Sequence, residues 1–155
     1  MKPLKNTVLV SIISTLFCAH QTTTQTVTAE ISCGELIDKI TILSIKSERI
    51  TNEDKLQNVR TELASLQETS SEYIQDQADI TSLQTLLKQI NEELWDIEDA
   101  IRVKERNQEF DEEFITLARS VYITNDKRCA VKKQIDALLG SYLTEEKSYE
   151  KLTYN

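Results

Sequence analysis

Apolar residues recur at spacings of three and four in four separate segments, the pattern of amphipathic helices. The first segment covers residues 31–50 and carries a wide apolar stripe, formed by Leu36, Ile37, Ile40, Ile42, Leu43, Ile45 and Ile50. Ser32 and Glu35 just before it have the spacing of a capping box, in which the serine side chain accepts from the third amide of the helix. The pattern therefore predicts a first helix over about Cys33–Arg49.

The second segment begins after a short connection. Thr51 and Asp54 mark its start, and it predicts a helix over residues 52–69 with one stripe, formed by Leu56, Val59, Leu63 and Leu66. The stretch ETSSEYIQDQAD, residues 68–79, contains many Ser, Asp and Gln residues. Because such side chains compete for backbone hydrogen bonds, we expect a loop there.

The third segment has the most regular pattern in the chain. Seven residues from a start near Gln77 follow alternating steps of three and four: Ile80, Leu83, Leu87, Ile90, Leu94, Ile97 and Ile101. Leu86 and Trp95 lie beside this row and widen it beyond a two-stranded coiled coil. The segment therefore predicts a long helix that packs in a bundle.

The fourth segment predicts a second long helix, capped by Asp111 and ended by Gly140 at about Leu139. Its expected stripe contains Phe114, Leu117, Val121, Thr124, Arg128, Val131, Ile135 and Leu138. The middle of this stripe is polar. An arginine that faces a core must be paired with a carboxylate, with carbonyl groups or with a bound anion.

Two interpretations of Arg128 follow. It forms an ion pair between helices with Asp38, Glu98 or Asp99, or it binds a ligand anion together with Tyr122 and Asn125. The residues of this possible anion-binding site or buried polar seam are Asp38, Lys46, Arg49, Arg102, Arg119, Tyr122, Asn125 and Arg128. We also expect Glu98 and Arg102 to pair on the surface, since they lie four residues apart.

Together the segments predict an all-α fold, an antiparallel up-down bundle with two shorter helices (1 and 2) and two longer helices (3 and 4). Its helical domain covers residues 30–140, and a tail with Tyr142, Tyr149 and Tyr154 covers residues 141–155. The helix lengths are roughly 25 Å for the short pair and 40–45 Å for the long pair. Because the long pair must extend beyond the short one, its apolar stripe must be covered by the tail or by a second subunit, and we expect a homodimer or another protein partner there.

Residues 1–29 differ in composition from the rest. Lys2 and Lys5 precede an apolar run over residues 8–19, the layout of a secretory signal, and the run is too short to span a bilayer. A signal peptide would place the protein in an exported or periplasmic location, whereas an over-extended start would leave it cytoplasmic. The formal net charge of −8 becomes −10 without these residues, which hold two bases and no acid. Such an acidic surface disfavours nucleic acid as a partner.

The composition also limits the chemistry. The single histidine, His20, lies in the leader, so the helical domain has no imidazole for a catalytic triad or a zinc site. A di-iron bundle needs two Glu-x-x-His pairs, which are absent from the sequence. We therefore predict no metal and no cofactor. Cys33 and Cys129 could form a disulfide if their helices approach closely enough. Cys33 lies at a helix N-terminus, where a thiol can be reactive, but the simpler interpretation is a small residue tolerated in a capped turn.

Several phrases resemble those of a known family: GELIDKITILSIKSERI, NVRTEL, LWDIEDAIR, LARSVYITNDKR and EEKSY. The resemblance covers Ala29 to Tyr149 and is to a family of small bacterial proteins whose domain has no assigned function. The family has Pro where this chain has Cys33. The resemblance identifies relatives, but it does not assign them a chemical activity. It also implies a link to surface-polysaccharide or glycosyltransferase systems.

Two functions remain. The first is a non-catalytic helical interaction or assembly protein that binds a partner through the extended ends of its long helices. The second is a small helical enzyme without a cofactor that binds an anionic substrate, because ELIDKITILSIKSER also resembles the first helix of the helical chorismate mutases. The arginine that precedes the apolar stripe in that family is absent here. Only Lys46, Arg49, Arg102, Arg119, Arg128 and Lys132 could replace it.

Overall fold

The computed structural model describes residues 26–74 and 78–148. These form four helices, α1 (Cys33–Arg49), α2 (Glu53–Tyr73), α3 (Ala78–Asn107) and α4 (Glu112–Leu139). They pack as the predicted antiparallel bundle, in which α3 and α4 are the longer pair. None of the described helices is long and apolar enough to cross a membrane. The leader up to residue 25, Tyr149 and Tyr154 lie outside the described residues.

Local capping explains the boundaries of α1 and α4. The Ser32 hydroxyl accepts from the Glu35 amide at 3.1 Å, and the Asp111 carboxylate accepts from the Phe114 amide at 3.0 Å. Gly140 ends α4 in the left-handed region with φ of 63°, a conformation that glycine adopts at low cost. These three predictions are confirmed.

The predicted start of α2 was one residue early, and its predicted end was four residues short. Its N-cap is Asn52, whose side chain accepts from the Lys55 amide, and the helix continues to Tyr73 through half of the predicted loop. The hydroxyl groups of Thr69 and Ser71 donate to backbone carbonyls of the preceding turn, at 3.1 and 2.7 Å. This bonding satisfies the polar side chains without breaking the helix.

The main core lies between the first half of α1, the first half of α3 and the second half of α4. Its buried members are Ile37, Ile80, Leu87, Ile90, Val131 and Ile135. On the other side of α1, Leu56 and Val59 of α2 are buried, and α2 packs against α1 alone among the described helices. The apolar stripe of α1 is wide because α1 lies between α2 and the α3–α4 pair.

The sequence analysis placed Leu86 and Leu138 on the apolar stripes that pack in the bundle, but both side chains are exposed. Leu86 is 43% exposed, since α2 does not contact α3. Leu138 is 44% exposed, and its neighbour Leu139 packs against the core. A straight α-helix repeats every 3.6 residues and does not follow a strict seven-residue repeat. The residue after Val131 and Ile135 that faces the core is therefore Leu139, four positions further on, and not Leu138.

The outer ends of α3 and α4 extend beyond α1, as the helix lengths predict. The end of α1 is marked by Arg49, which pairs with Asp96 of α3. We call residues 97–123 the overhang. At its turn Lys104 Nζ lies 2.5 Å from Glu113 Oε2 and 2.9 Å from Asp111 Oδ2. These hydrogen bonds raise the pKa of Lys104 and join the two helices of the overhang.

Candidate functional site

The polar middle of α4 is held by an ion pair across the bundle. Arg128 Nε donates to Asp38 Oδ1 at 2.8 Å, and its Nη2 contacts Asp38 Oδ2. The Asp38 side chain is 1% exposed, whereas that of Arg128 is 28% exposed. This two-point geometry is the strongest that a guanidinium makes with a carboxylate. It raises the pKa of Arg128, because the hydrogen bond to Asp38 outweighs the cost of partial burial. Of the three carboxylates considered from the sequence, Asp38 is the partner.

Two further residues complete this polar cluster, and sequence reasoning missed both. Asn91 of α3 donates its side-chain amide to Asp38 Oδ1 and to Thr41 Oγ1, each at 2.9 Å. The Thr41 hydroxyl donates to the Asp38 carbonyl at 2.8 Å. The spacing of Asn91 could have indicated its role, because this polar residue lies beside Ile90 on the apolar face of α3. The cluster satisfies the buried charge from α1, α3 and α4 together.

Most of the other predicted site residues do not converge on Arg128. Arg49 pairs with Asp96, and its guanidinium carbon lies 5.7 Å from the centre of the Trp95 ring. Arg102 pairs with Glu98 at 2.8 Å, as the spacing predicts. Arg119 is exposed on the overhang, and Tyr122 is 39% exposed.

A groove of about 340 Å³ opens beside the polar cluster, where α1 leaves the α3–α4 pair. It brings together three of the predicted residues, Arg102, Asn125 and Arg128. Its wall also contains the carboxylates of Glu98 and Asp99, and the Trp95 indole donates to Asp99 at 2.9 Å. The guanidinium groups of this groove are thus balanced by carboxylates. Lys46, Arg49, Arg119 and Tyr122 do not line it.

A second cluster of charges surrounds Lys132 one turn further along α4. Lys132 Nζ donates to Glu35 Oε2 and to Glu145 Oε2, each at 2.6 Å, and its side chain is 7% exposed. Burial lowers the pKa of Lys132, but its hydrogen bonds to Glu145 and Glu35 reverse the effect, so the pKa is raised. The Glu145 contact attaches the tail to α4. It was not predicted, because an extended tail carries no periodic pattern.

Gly34 allows α1 to approach α4 closely beside this cluster. Its amide donates to Asp136 Oδ1 at 2.6 Å, and a Cβ added at Gly34 would lie 2.6 Å from the Lys132 carbonyl oxygen. The two cysteines on these helices, Cys33 and Cys129, are free thiols. The sequence alone did not indicate the close contact of Gly34 with α4.

We expect Gly34→Ala to lower the free energy of unfolding by about 1–3 kcal/mol, because the added methyl group meets a backbone atom that cannot move aside cheaply. The gain in helix propensity, about 1 kcal/mol, offsets only part of this cost. Urea denaturation measures the difference. Asn58→Ala, at an exposed position of α2, is the matched control and should be neutral or slightly stabilising. Equal effects of the two substitutions would contradict the steric argument.

Comparison with known proteins agrees with the resemblance seen in the sequence. The model of a family of unknown function, DUF6165, matches residues 27–153. This range includes all four helices and the tail that carries Glu145. Neither the curated proteins nor the solved structures give a match. Because the family model covers most of the chain, the protein belongs to the DUF6165 family.

Proposed function

We propose that this protein is a non-catalytic interaction protein that assembles as a homodimer through the overhang. The observation that carries the proposal is the exposed apolar surface there. Val103 is 44% exposed, Phe110 56%, Ile115 43% and Tyr122 39%. Ile115, Ala118 and Tyr122 are spaced by three and four residues, so they form one outward stripe on α4. Exposed apolar stripes of this kind mark interaction sites.

The geometry of the overhang favours a second copy as the partner. Two helices alone form a layer that cannot bury its apolar residues, and Ile101, Leu117 and Val121 are only partly buried there. Two such layers packed face to face form a four-helix bundle, which buries the stripe of each. A two-fold axis between the copies closes the assembly, since the same surface is used on both sides.

The charges of the overhang are compatible with this two-fold pairing. Residues 104–113, at the turn, carry five acids and two bases. Arg102 and Arg119 lie nearer the body of the molecule. When two overhangs pack with their turns pointing in opposite directions, the acidic turn of one copy lies over the arginines of the other. Complementary charges of this kind set the register and orientation of an interface.

The pairing of the cations supports a non-catalytic role. An enzyme that binds a dianion with arginine and lysine needs their positive charge directed at the substrate. Here the two guanidinium groups that line the groove are both paired, Arg102 with Glu98 and Arg128 with Asp38. The chorismate-mutase-like alternative therefore gains no support from the geometry. The link to surface-polysaccharide or glycosyltransferase systems stays a prediction.

Light scattering during size-exclusion chromatography tests the proposal. We expect a dimer for the full chain. Ile115→Asp should weaken dimerisation by at least about thirtyfold, because it places a charge in the apolar centre of the interface. Leu138→Asp is the matched control: Leu138 is equally exposed on α4, at 44%, but lies outside the overhang. It should leave the dimer unchanged.

A full-length chain that is monomeric at every accessible concentration would overturn the proposal. A dimer that dissociates in Leu138→Asp and persists in Ile115→Asp would also overturn it, since the interface would then lie at the other end of α4. Circular dichroism at 222 nm checks that both variants retain their helices.

A further inference from the structure

The tail and α4 line a small, partly open pocket that lies outside the overhang. Its volume is about 150 Å³, and it is lined by Asn125, Arg128, Cys129, Lys132, Glu145 and Lys147. Liquid water occupies about 30 Å³ per molecule, so the pocket has room for about five water molecules or one tetrahedral oxyanion. It adjoins the groove at Asn125 and Arg128, which line both.

Cations outnumber acids by three to one among the residues that line this pocket. Two of these cations also have carboxylate partners behind the lining, since Arg128 pairs with Asp38 and Lys132 pairs with Glu35. Lys147 Nζ donates to the neutral Asn125 carbonyl at 3.3 Å. Arg128 binds Asp38 through Nε and Nη2, while its Nη1 donates to Asn125 Oδ1 over a long 3.4 Å. The hydrogen bonds of Lys147 Nζ and Arg128 Nη1 are long and go to neutral oxygens of Asn125, so these two donors can bind a further anion.

Glu145 shows how an oxyanion is held in this pocket. Its Oε2 accepts from Lys132 Nζ at 2.6 Å, and its side chain is 33% exposed. The pKa of Glu145 is lowered, first by the hydrogen bond from Lys132 and further by the nearby charges of Lys132, Lys147 and Arg128. Three cations from α4 and the tail thus act on one carboxylate. The carboxylate lies on an extended segment, which can move without unfolding a helix.

We propose that this pocket binds a phosphoryl group, as inorganic phosphate or as a small soluble phosphate monoester, and that the Glu145 carboxylate occupies the site when the ligand is absent. A free carboxylate competes poorly, because Glu145 is tethered beside Lys132 at a high effective concentration. A phosphoryl group carries more charge and three acceptor oxygens. It can therefore replace Glu145 on Lys132 and also accept from Lys147 Nζ and Arg128 Nη1, while Glu35 and Asp38 keep their contacts with Lys132 and Arg128. The proposal is independent of dimerisation.

Isothermal titration calorimetry of the full chain with inorganic phosphate, at constant ionic strength, tests this proposal. Glu145→Gln should bind phosphate about tenfold more tightly than the wild type, because it removes the charge of the competing side chain. Glu146→Gln is the matched control: the neighbouring Glu146 pairs with Lys133 on the surface at 2.9 Å. Its affinity should equal that of the wild type.

A second pair of variants tests the cations. Lys147→Met should weaken phosphate binding by about tenfold, since it removes one charge-assisted hydrogen bond, whereas Lys133→Met should leave it unchanged. Glycerol 3-phosphate is titrated in parallel. Tighter binding than that of phosphate assigns the site to phosphate monoesters, and weaker binding assigns it to inorganic phosphate.

Two results would overturn the proposal. The first is a Glu145→Gln variant that binds neither phosphate nor glycerol 3-phosphate. The second is equal affinity of Glu145→Gln and Glu146→Gln, which would show that any binding follows net charge and not this pocket.

Discussion

Replacing Arg128 with methionine should lower the free energy of unfolding by about 3–5 kcal/mol, the usual cost of removing one partner of a buried ion pair. The cost arises at Asp38, whose side chain is 1% exposed and would lose both hydrogen bonds from the guanidinium. Asn91 would still donate to Asp38, but its neutral amide cannot neutralise the charge of the carboxylate. Urea denaturation measures the loss. It is made at one protein concentration, because the stability of the proposed dimer would depend on concentration.

Two controls separate this effect from a general loss of charge. Arg102→Met removes an arginine whose side chain is 68% exposed and whose pairing with Glu98 lies on the surface. It should cost less than about 1 kcal/mol. The double variant Asp38→Leu with Arg128→Met removes both charges, and it should recover much of the stability lost in Arg128→Met alone. An unchanged stability of Arg128→Met would refute the assignment of this pair as buried and coupled.

Leu87→Ala should lower the free energy of unfolding by about 2–5 kcal/mol, since it leaves a cavity in the main core. Leu87 is 0% exposed and packs among the buried residues of α1, α3 and α4. The adjacent Leu86 gives the matched control at 43% exposure. Leu86→Ala should stay within about 0.5 kcal/mol of the wild type. Urea denaturation measures the loss for both variants. A larger loss for Leu86→Ala than for Leu87→Ala would contradict the placement of Leu87 in the core.

The helices and most of their ends could be predicted because the signals are local. Ser32, Asp111 and Gly140 act on backbone groups within four residues, so their effect can be predicted from neighbouring letters. The row of seven apolar residues on α3 was likewise predicted. Ile80, Leu87, Ile90 and Leu94 are buried, while Ile97 and Ile101 are only partly buried because the overhang lacks a third helix.

The errors occurred where packing decides between close alternatives. Residues 68–73 could form either a loop or helix from their composition, and the last turns of α2 form because their hydroxyls bond back to the helix. Leu138 and Leu139 are equally apolar. Which of them faces the core depends on how α4 rotates against α3, and a repeat of seven does not specify that rotation.

The sequence by itself determined that this chain forms four amphipathic helices, two short and two long, and that an arginine in the last helix needs a partner. These conclusions depend on the periodicity of neighbouring residues and on the cost of burying an unpaired charge. Only the tertiary structure decided that the partner is Asp38, 90 positions away, and that Lys132 meets both Glu35 and Glu145. Such contacts depend on the depth and angle at which helices cross, which the local pattern of each helix does not encode.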